Sequence, residues 1–322
     1  MEALISQLSR MQISEFFSRN APVTQQQCNL EAARIAGASA RPATVQGGTS
    51  YTVVAEGYAV QFRASNSALD LEFLGGVEQA YAGFTPLHEN AGKLGELLIY
   101  KMNNVGGVAM YLARDQLYRD NYRLLRQTLQ DYASFFASAW YNTPKWMPYP
   151  NPELLLDDYT SKLTELSRAL PNRFRQTLEY LIARLPDLFA DDWPMVPNHT
   201  DLLENNIHVD PSTGEACGHL VTGRITEVSP FGMSLGGLET MLGINKIREG
   251  WCYHANQQAL RDVFWTTFYE ALGNNTDERI EVARLAGLFL ANGWEYDDEG
   301  NKVPVREGSR DLAYLDAVVL GK

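Results

Sequence analysis

The sequence predicts an α+β chain in which a small, strand-rich part precedes a larger, mostly helical part. Residues 43–63 and 97–102 have the alternating pattern and β-branched content of strands. Beyond residue 103, apolar residues recur at helical spacing over most of the chain. The small part is residues 1–102, and the large part is residues 103–322.

Composition excludes several classes of function. The 322 residues are 45% hydrophobic and 20% charged, as in ordinary globular proteins. A formal net charge of −12 argues against nucleic-acid binding, which needs a basic surface to release counterions. Cys28, Cys217 and Cys252 have no metal-binding or disulfide spacing. No stretch reaches 18 apolar residues, so we expect a cytoplasmic protein without a membrane span and have no indication of its oligomeric state.

The elements follow in order along the chain. Residues 2–19 and 28–38 have helical spacing, and two strands flank a turn at Glu56-Gly57. A helix over 66–81 and a strand over 97–102 complete the small part. In the large part we expect these helices: 134–140, 154–170, 172–185, 251–272 and 277–292. An acidic turn over 293–301 follows the last of them.

One loop in the large part has a pattern suited to chemistry. Asp201 follows His199 by two residues and precedes Asn206 by five, and turn residues close a hairpin after it. An Asp and an Asn at this spacing suit phosphoryl transfer, because the Asp can accept a hydroxyl proton while the Asn faces a magnesium ion. His199 is open to two interpretations, a general base or a side chain that holds the loop.

Two stretches carry a resemblance to a known family. His199-x-Asp201-Leu202-x-x-x-Asn206-Ile207-x-Val209-Asp210-Pro211 resembles the catalytic loop of aminoglycoside phosphotransferase-like enzymes. Pro230-Phe231-Gly232-Met233-Ser234-Leu235 is similar to a segment in a fungal branch of that family, whose members often lie in natural-product gene clusters. The resemblance implies a bilobal protein-kinase-like fold with a small antiparallel-sheet lobe and a helical large lobe.

The chain departs from the family pattern at the second metal ligand. Family members carry an Asp there, after the hairpin's second strand, which binds the metal that bridges the nucleotide phosphates. Alignment places Val221 or Thr222 at this position, and no acid occurs between Glu215 and Glu227. Neutral oxygens are poor substitutes around such a magnesium ion. We therefore expect a degenerate nucleotide site, no bound metal, no cofactor and no tight binding of magnesium-ATP.

The small part holds the other candidates that the resemblance suggests. Gln61 or Arg63 occupies the position of the strand cation that holds nucleotide phosphates, and only Arg63 carries charge. Candidate acids for pairing with this cation are Asp70, Glu72 and Glu78. Residues 47–50, Gly-Gly-Thr-Ser, lie where a kinase lobe covers the phosphates, although an ordinary strand bend also explains the two glycines.

These observations give one set of candidate site residues. The candidate catalytic residues are Asp201, Asn206 and His199. The candidate substrate-binding residues are Arg63, Gln61, Thr222, Tyr51 and Trp146. Trp146 belongs to an aromatic, proline-rich segment over 141–152 that is consistent with a pocket wall or with a surface connection.

Three functions from different classes remain open. The favoured one is a repurposed kinase-fold enzyme of fungal secondary metabolism, a cofactor-independent cyclase or isomerase acting on an apolar terpene- or polyketide-like substrate. An intramolecular Diels–Alder cycloaddition, and hence a Diels-Alderase, is its most specific form. The first alternative is a small-molecule phosphotransferase that uses ATP and magnesium, and the second is a non-catalytic pseudokinase that binds a partner protein.

Overall fold

The computed structural model describes residues 2–81, 83–199, 202–204, 206–219, 226–246 and 249–321. The chain divides into two compact units. Within the described residues, the first unit comprises residues 2–78 and 85–106, and the second comprises residues 79–81, 83–84 and the described residues from 107 onward. The predicted division at residue 102 stays a prediction.

The first unit is built from helices and one antiparallel sheet. Its elements are α1 (Glu2–Arg19), α2 (Gln25–Ala36), β1 (Ala40–Pro42), β2 (Ser50–Ala55), β3 (Tyr58–Arg63), α3 (Leu71–Ala80), β4 (His88–Leu94) and β5 (Leu97–Asn103). Within the described residues, the strands have the order β1-β2-β3-β5-β4. The first predicted strand, over residues 44–55, is shorter than expected: residues 50–55 form β2, and the residues before them form a loop.

Local chemistry explains the first unit. Thr24 caps α2 reciprocally with Gln27, which satisfies amides that the first helical turn leaves unpaired. Gly57 has φ +76°, a left-handed conformation suited to the tight turn between β2 and β3. Tyr51 and Phe62 are fully buried between this sheet and the helices, so one face of the sheet forms the unit's core.

The second unit is mostly helical. Its elements are β6 (Val108–Ala109), α4 (Arg114–Leu117), α5 (Arg119–Asn142), α6 (Pro152–Ala169), α7 (Arg175–Arg184), β7 (Met195–His199), β8 (Ile207–Val209), β9 (Ala216–His219), β10 (Thr226–Pro230), α8 (Glu239–Leu242), β11 (Gly243–Lys246), β12 (Gly250–Tyr253), α9 (Gln257–Ala271), α10 (Arg279–Asn292), β13 (Trp294–Tyr296), β14 (Lys302–Pro304) and α11 (Arg310–Leu320). The predicted fold class is confirmed, with an antiparallel sheet in one unit and a helix-rich second unit.

Aromatic packing forms the core of the second unit. Phe135 and Phe136 on α5 lie in ring contact with Tyr132, and Phe264 of α9 contacts both Tyr132 and Phe136. Aromatic pairs in such edge and offset geometries contribute beyond the area that they bury. These contacts join α5 to α9 in the core of the second unit.

Two sequence predictions need correction. Residues 251–253 belong to β12, not to a helix, because they pair with β11 in an antiparallel hairpin. The sequence predicts an acidic turn over residues 293–301, yet residues 294–296 form β13, because they pair with β14 in an antiparallel hairpin. Short strands of three or four residues give too little alternation to be separated from a helical pattern.

A buried ion cluster braces the second unit. Glu239 is 1% exposed and accepts two hydrogen bonds from Arg261, at 2.6 and 2.8 Å. Tyr253 donates its hydroxyl to the same carboxylate at 2.9 Å, and Arg284 lies 3.4 Å away. Burying a carboxylate is costly unless it is paired and hydrogen-bonded, as it is here.

We expect the buried side chain of His254 to make the protein less stable in acid. It is 8% exposed, and burial followed by the charge of Arg114 lowers its pKa from the ordinary value. Near pH 6.5 this histidine binds fewer protons in the folded chain than in the unfolded chain, so its contribution to stability is lost as pH falls. Urea unfolding should therefore show a steeper loss between pH 7.5 and 5.5 in the wild type than in His254→Gln. An equal loss of unfolding free energy over this pH range in both proteins would contradict this prediction.

Candidate functional site

The loop that carries the candidate catalytic residues lies between two strands of the second unit. β7 ends at His199, and β8 begins at Ile207, directly after Asn206. His199 is buried and Asn206 is half-buried. The backbone amide of Asn206 donates to the carbonyl of Leu203 at 2.8 Å. Asp201, the main candidate, lies outside the described residues. The predicted hairpin is present in β8 and β9, whose described strands pair in antiparallel register.

Asn198 fixes the strand that leads into this loop. Its amide nitrogen donates to the carbonyls of Ser229 and Pro230, both at 3.1 Å, while its carbonyl oxygen accepts from the amide and the hydroxyl of Ser234. The side chain is 3% exposed, so these bonds satisfy a buried polar group. The residue is therefore a structural brace between β7, β10 and the turn after β10.

The Pro-Phe-Gly-Met-Ser segment forms that turn. Gly232 has φ +97°, and a Cβ there would lie 2.9 Å from Cβ of Ala283, so the turn requires glycine. The carbonyl of Phe231 accepts from the indole of Trp193 at 3.1 Å. This segment carries part of the family resemblance, and its residues Met233 and Ser234 belong to the wall of the candidate site.

A cavity of about 510 Å³ opens beside the loop. His199 and Leu202 form part of its wall, and Gly237 approaches closely enough that an added Cβ would lie 3.0 Å from Cβ of Leu202. The wall also carries Tyr159, Lys162, Glu227, Ser234, Thr240 and Lys302. Charged and hydroxyl groups therefore accompany the leucines, which differs from the purely apolar site expected for an apolar substrate.

Tyr159 and Glu227 form the principal polar pair in this wall. The Tyr159 hydroxyl donates to the Glu227 carboxylate at 2.6 Å. Burial, followed by the nearby negative charge, raises the pKa of Tyr159, so the hydroxyl stays protonated and remains a donor. Glu227 lies opposite Asn198 in the β7–β10 pairing, which places a carboxylate next to the loop-bearing strand.

Two lysines complete the charged wall. Lys162 forms a salt bridge with Asp158 at 2.6 Å, one turn earlier on α6. Lys302 lies 5.4 Å from the ring centre of Trp294. The wall thus offers both acidic and cationic groups to a polar ligand. The sequence analysis names none of Tyr159, Glu227, Lys162 and Lys302 as a candidate site residue. Only their placement in the cavity wall reveals them.

In the first unit, the candidate phosphate-binding residues and one candidate acid make hydrogen bonds to nearby residues. Arg63 is 3% exposed and donates to Gln61 at 2.8 Å and to the carbonyl of Ser67 at 3.1 Å. Glu78 accepts from the amide of His88 at 2.7 Å and lies 3.2 Å from its imidazole. Their predicted roles in binding a substrate or a nucleotide stay predictions.

The loop before β2 is closed by a buried glutamine. Gln46 donates to the carbonyls of Ala43 and Thr52 and accepts from the amide of Thr52 at 2.9 Å. Neither Gly47 nor Gly48 has a positive φ, and a Cβ at either would meet nothing closer than 3.9 Å. The geometry therefore favours an ordinary bend here over an anion-binding loop.

Neither Tyr51 nor Trp146 is among the residues of the cavity wall. Tyr51 is fully buried in the first unit's core, with its hydroxyl bonded to Asn29 and Gln25, a placement that does not support substrate contact. Trp146 is 53% exposed on the connection between α5 and α6, which favours the surface interpretation of that segment. Thr222 lies outside the described residues.

The described residues fit a magnesium-bound nucleotide only in part. The expected second ligand falls between the end of β9 at His219 and the start of β10 at Thr226. Residues 220–225 lie outside the described part of the chain, and their sequence, Leu-Val-Thr-Gly-Arg-Ile, contains no acid. Across the described residues, no three His, Cys, Asp or Glu side chains are grouped to hold a metal. Asn206 is present, and the acid that would accompany it is not in the sequence.

Comparison with solved structures establishes the fold. A choline/ethanolamine kinase family protein from Mesorhizobium loti is similar with a TM-score of 0.53 at 12% identity, over 83% of this chain and 83% of that chain. A protein from Ralstonia eutropha, assigned to the aminoglycoside phosphotransferases, has a TM-score of 0.53 at 13% identity, over 78% of this chain and 80% of that chain. Identity this low shows the fold alone, which is a bilobal protein-kinase-like fold.

No family model and no curated protein matches the chain. No helix among the described residues has the length and apolar character needed to cross a bilayer.

Proposed function

We propose that the chain is a small-molecule phosphotransferase of the kinase fold, acting on a polar acceptor that carries hydroxyl or amino groups. The observation that supports this most is the cavity beside the candidate loop, with Glu227, Tyr159 and two lysines in its wall. A pocket with a few convergent polar groups is the expected form of a small-molecule site. The favoured prediction from sequence, an apolar substrate, fits this wall less well.

The proposed reaction needs a proton acceptor and groups that bind the acceptor molecule. Asp201 accepts the proton of the acceptor's hydroxyl or amine, as the Asp of a kinase catalytic loop does. Glu227 and the Tyr159 hydroxyl bind and orient the acceptor through hydrogen bonds, and Leu202 and His199 form the adjoining wall. Orientation of this kind supplies much of the rate in enzymes whose protein groups do little covalent chemistry.

The nucleotide side of the reaction is the weak part of the site. The sequence lacks the acidic ligand, and loss of one preorganised charged group in such a site typically costs about 10²–10³ in rate. We therefore expect slow transfer and weak binding of magnesium-ATP, and we assign no step to the metal.

A second candidate function rests on that same missing acid. A nucleotide-independent cyclase or isomerase needs no metal ligand, because shape and a few donors can hold a reactive conformer. The cycloaddition and the fungal pathway remain predictions from the sequence.

The acceptor site is tested by a conservative change in the cavity wall. Glu227→Gln keeps the shape of the side chain and removes its charge, so an ammonium- or hydroxyl-bearing acceptor loses a charge-assisted hydrogen bond. We expect binding to weaken by about tenfold, at the lower end for a bond to a charged group. Calorimetric titration of choline, ethanolamine and aminoglycosides without nucleotide measures this.

The matched control is Glu179→Gln, an exposed acid on α7 outside the cavity wall. It should leave every affinity unchanged. Equal affinities for the wild type and Glu227→Gln, or no binding by any of these acceptors, would contradict the proposed acceptor site.

A further inference from the structure

Glu204 ties the candidate catalytic loop to a neighbouring helix. It lies three residues after Asp201 and two before Asn206 in the sequence. Arg114, the first residue of α4, donates Nε to Oε1 of Glu204 at 2.9 Å and Nη2 to the other carboxylate oxygen. Tyr118 adds its hydroxyl to Oε1 at 3.4 Å. Three donors from one short segment therefore converge on a single carboxylate of the loop.

The ion pair between Arg114 and Glu204 has a well-defined geometry. The pair is bidentate, which fixes the direction of both side chains as well as their separation. The side chains are 30% and 13% exposed, so solvent screens the pair less than a fully exposed one. Its hydrogen bonds to Glu204 raise the pKa of Arg114, so the guanidinium stays charged at every ordinary pH.

The segment that carries Arg114 is itself held in an unusual conformation. Asp120, Asn121 and Tyr122 have φ of 50°, 54° and 61°, three successive left-handed residues without glycine. Such backbone persists only where its surroundings determine it. Here the ring of Tyr122 lies 4.9 Å from that of His254, and Asn121 accepts from Asn256 at 3.2 Å.

Tyr118 connects the two halves of this arrangement. Its ring lies 4.6 Å from the ring of His254, while its hydroxyl reaches Glu204. Residues 114–122 are therefore anchored on the β12–α9 connection at one side and on the loop at the other. Nothing in the proposed acceptor binding uses these side chains, since none of them lies in the cavity wall.

We infer that Arg114 and Tyr118 are positioning residues, which act through Glu204 to hold the loop with Asp201 and Asn206 in its reactive arrangement. The inference rests on the proposed function for its kinetic consequence, but not for its structural one. A displacement of about 1 Å in such a loop can cost about 10²-fold in rate. The cavity wall stays intact, so acceptor binding should not change.

The test compares two bidentate arginines. Arg114→Gln removes the tie to Glu204, Arg114→Lys keeps the charge without the fork, and Tyr118→Phe removes only the hydroxyl. The control is Arg173→Gln, because Arg173 also makes a bidentate, partly buried pair over long range, with Asp316. Hydrogen exchange of the peptide covering residues 199–209 is measured with the steady-state kinetics of acceptor phosphorylation.

We expect Arg114→Gln to speed exchange in residues 199–209 at least several-fold and to lower kcat about 10- to 100-fold with KM for the acceptor within about twofold. Arg114→Lys should recover part of both effects, and Arg173→Gln should show neither. Unchanged exchange in Arg114→Gln would overturn the inference. Faster exchange without any measurable phosphorylation in the wild type would instead count against the proposed function and leave the positioning role standing.

Discussion

Introducing an acid into the segment after β9 should increase ATP turnover. In Val221→Asp or Thr222→Asp, whichever register is the native one, we expect magnesium-dependent ADP formation to rise by about 10²–10³-fold over the wild type. The physical reason is that magnesium on a nucleotide is bound through carboxylates together with the phosphates, and this chain has none between Glu215 and Glu227. A coupled assay of ADP release measures the effect without knowledge of the acceptor.

The two variants serve as controls for each other. Both place the same charge in the same segment, and the two alternative alignments put the metal position at one residue or at the other. One variant should therefore gain activity and the other should not. If neither exceeds the wild type while both retain its circular dichroism, the phosphotransferase proposal is wrong and the nucleotide-independent function becomes the better one.

Replacing Glu239 should cause the largest loss of stability. Glu239→Gln leaves Arg261 and Arg284 buried or partly buried beside a neutral amide, and breaking a buried ion pair by removing one partner costs about 3–5 kcal/mol. The Tyr253 hydroxyl also loses its charged acceptor. Equilibrium unfolding in urea gives the free energy of unfolding for both proteins.

Glu281→Gln is the matched control for that experiment. It contacts the same Arg284 at 2.7 Å, but its side chain is 54% exposed. Because Glu281 is mostly exposed and its loss leaves Arg284 beside Glu239, the control should lose clearly less stability than Glu239→Gln. Equal losses in the two variants would contradict the buried-cluster interpretation.

Elements with a long, clear pattern could be predicted from the sequence. The helices α6, α7 and α10 lie within a few residues of their predicted bounds, and the Glu56-Gly57 turn is present because glycine allows its left-handed conformation. Short strands such as β12 and β13 were missed, since their formation depends on a partner strand more than on local pattern. Tertiary pairing decides such segments.

The candidate site was only partly predictable for the same reason. His199 and Asn206 lie in one continuous motif and were found from their spacing. Tyr159 and Glu227 are separated by 68 residues and meet only because α6 packs beside the β7–β10 pair. Neither has a sequence signature, and only the fold brings them together.

The central claim is that this kinase-fold chain transfers a phosphoryl group to a polar small molecule. Mass spectrometry of choline, ethanolamine and aminoglycosides after incubation with the wild type and the more active acid variant, with and without magnesium-ATP, tests it most directly. The account predicts that at least one acceptor gains the mass of one phosphoryl group, slowly with the wild type and faster with the variant, and only when nucleotide is present. Acceptors left unmodified by both proteins, or a product of unchanged mass formed without nucleotide, would contradict it.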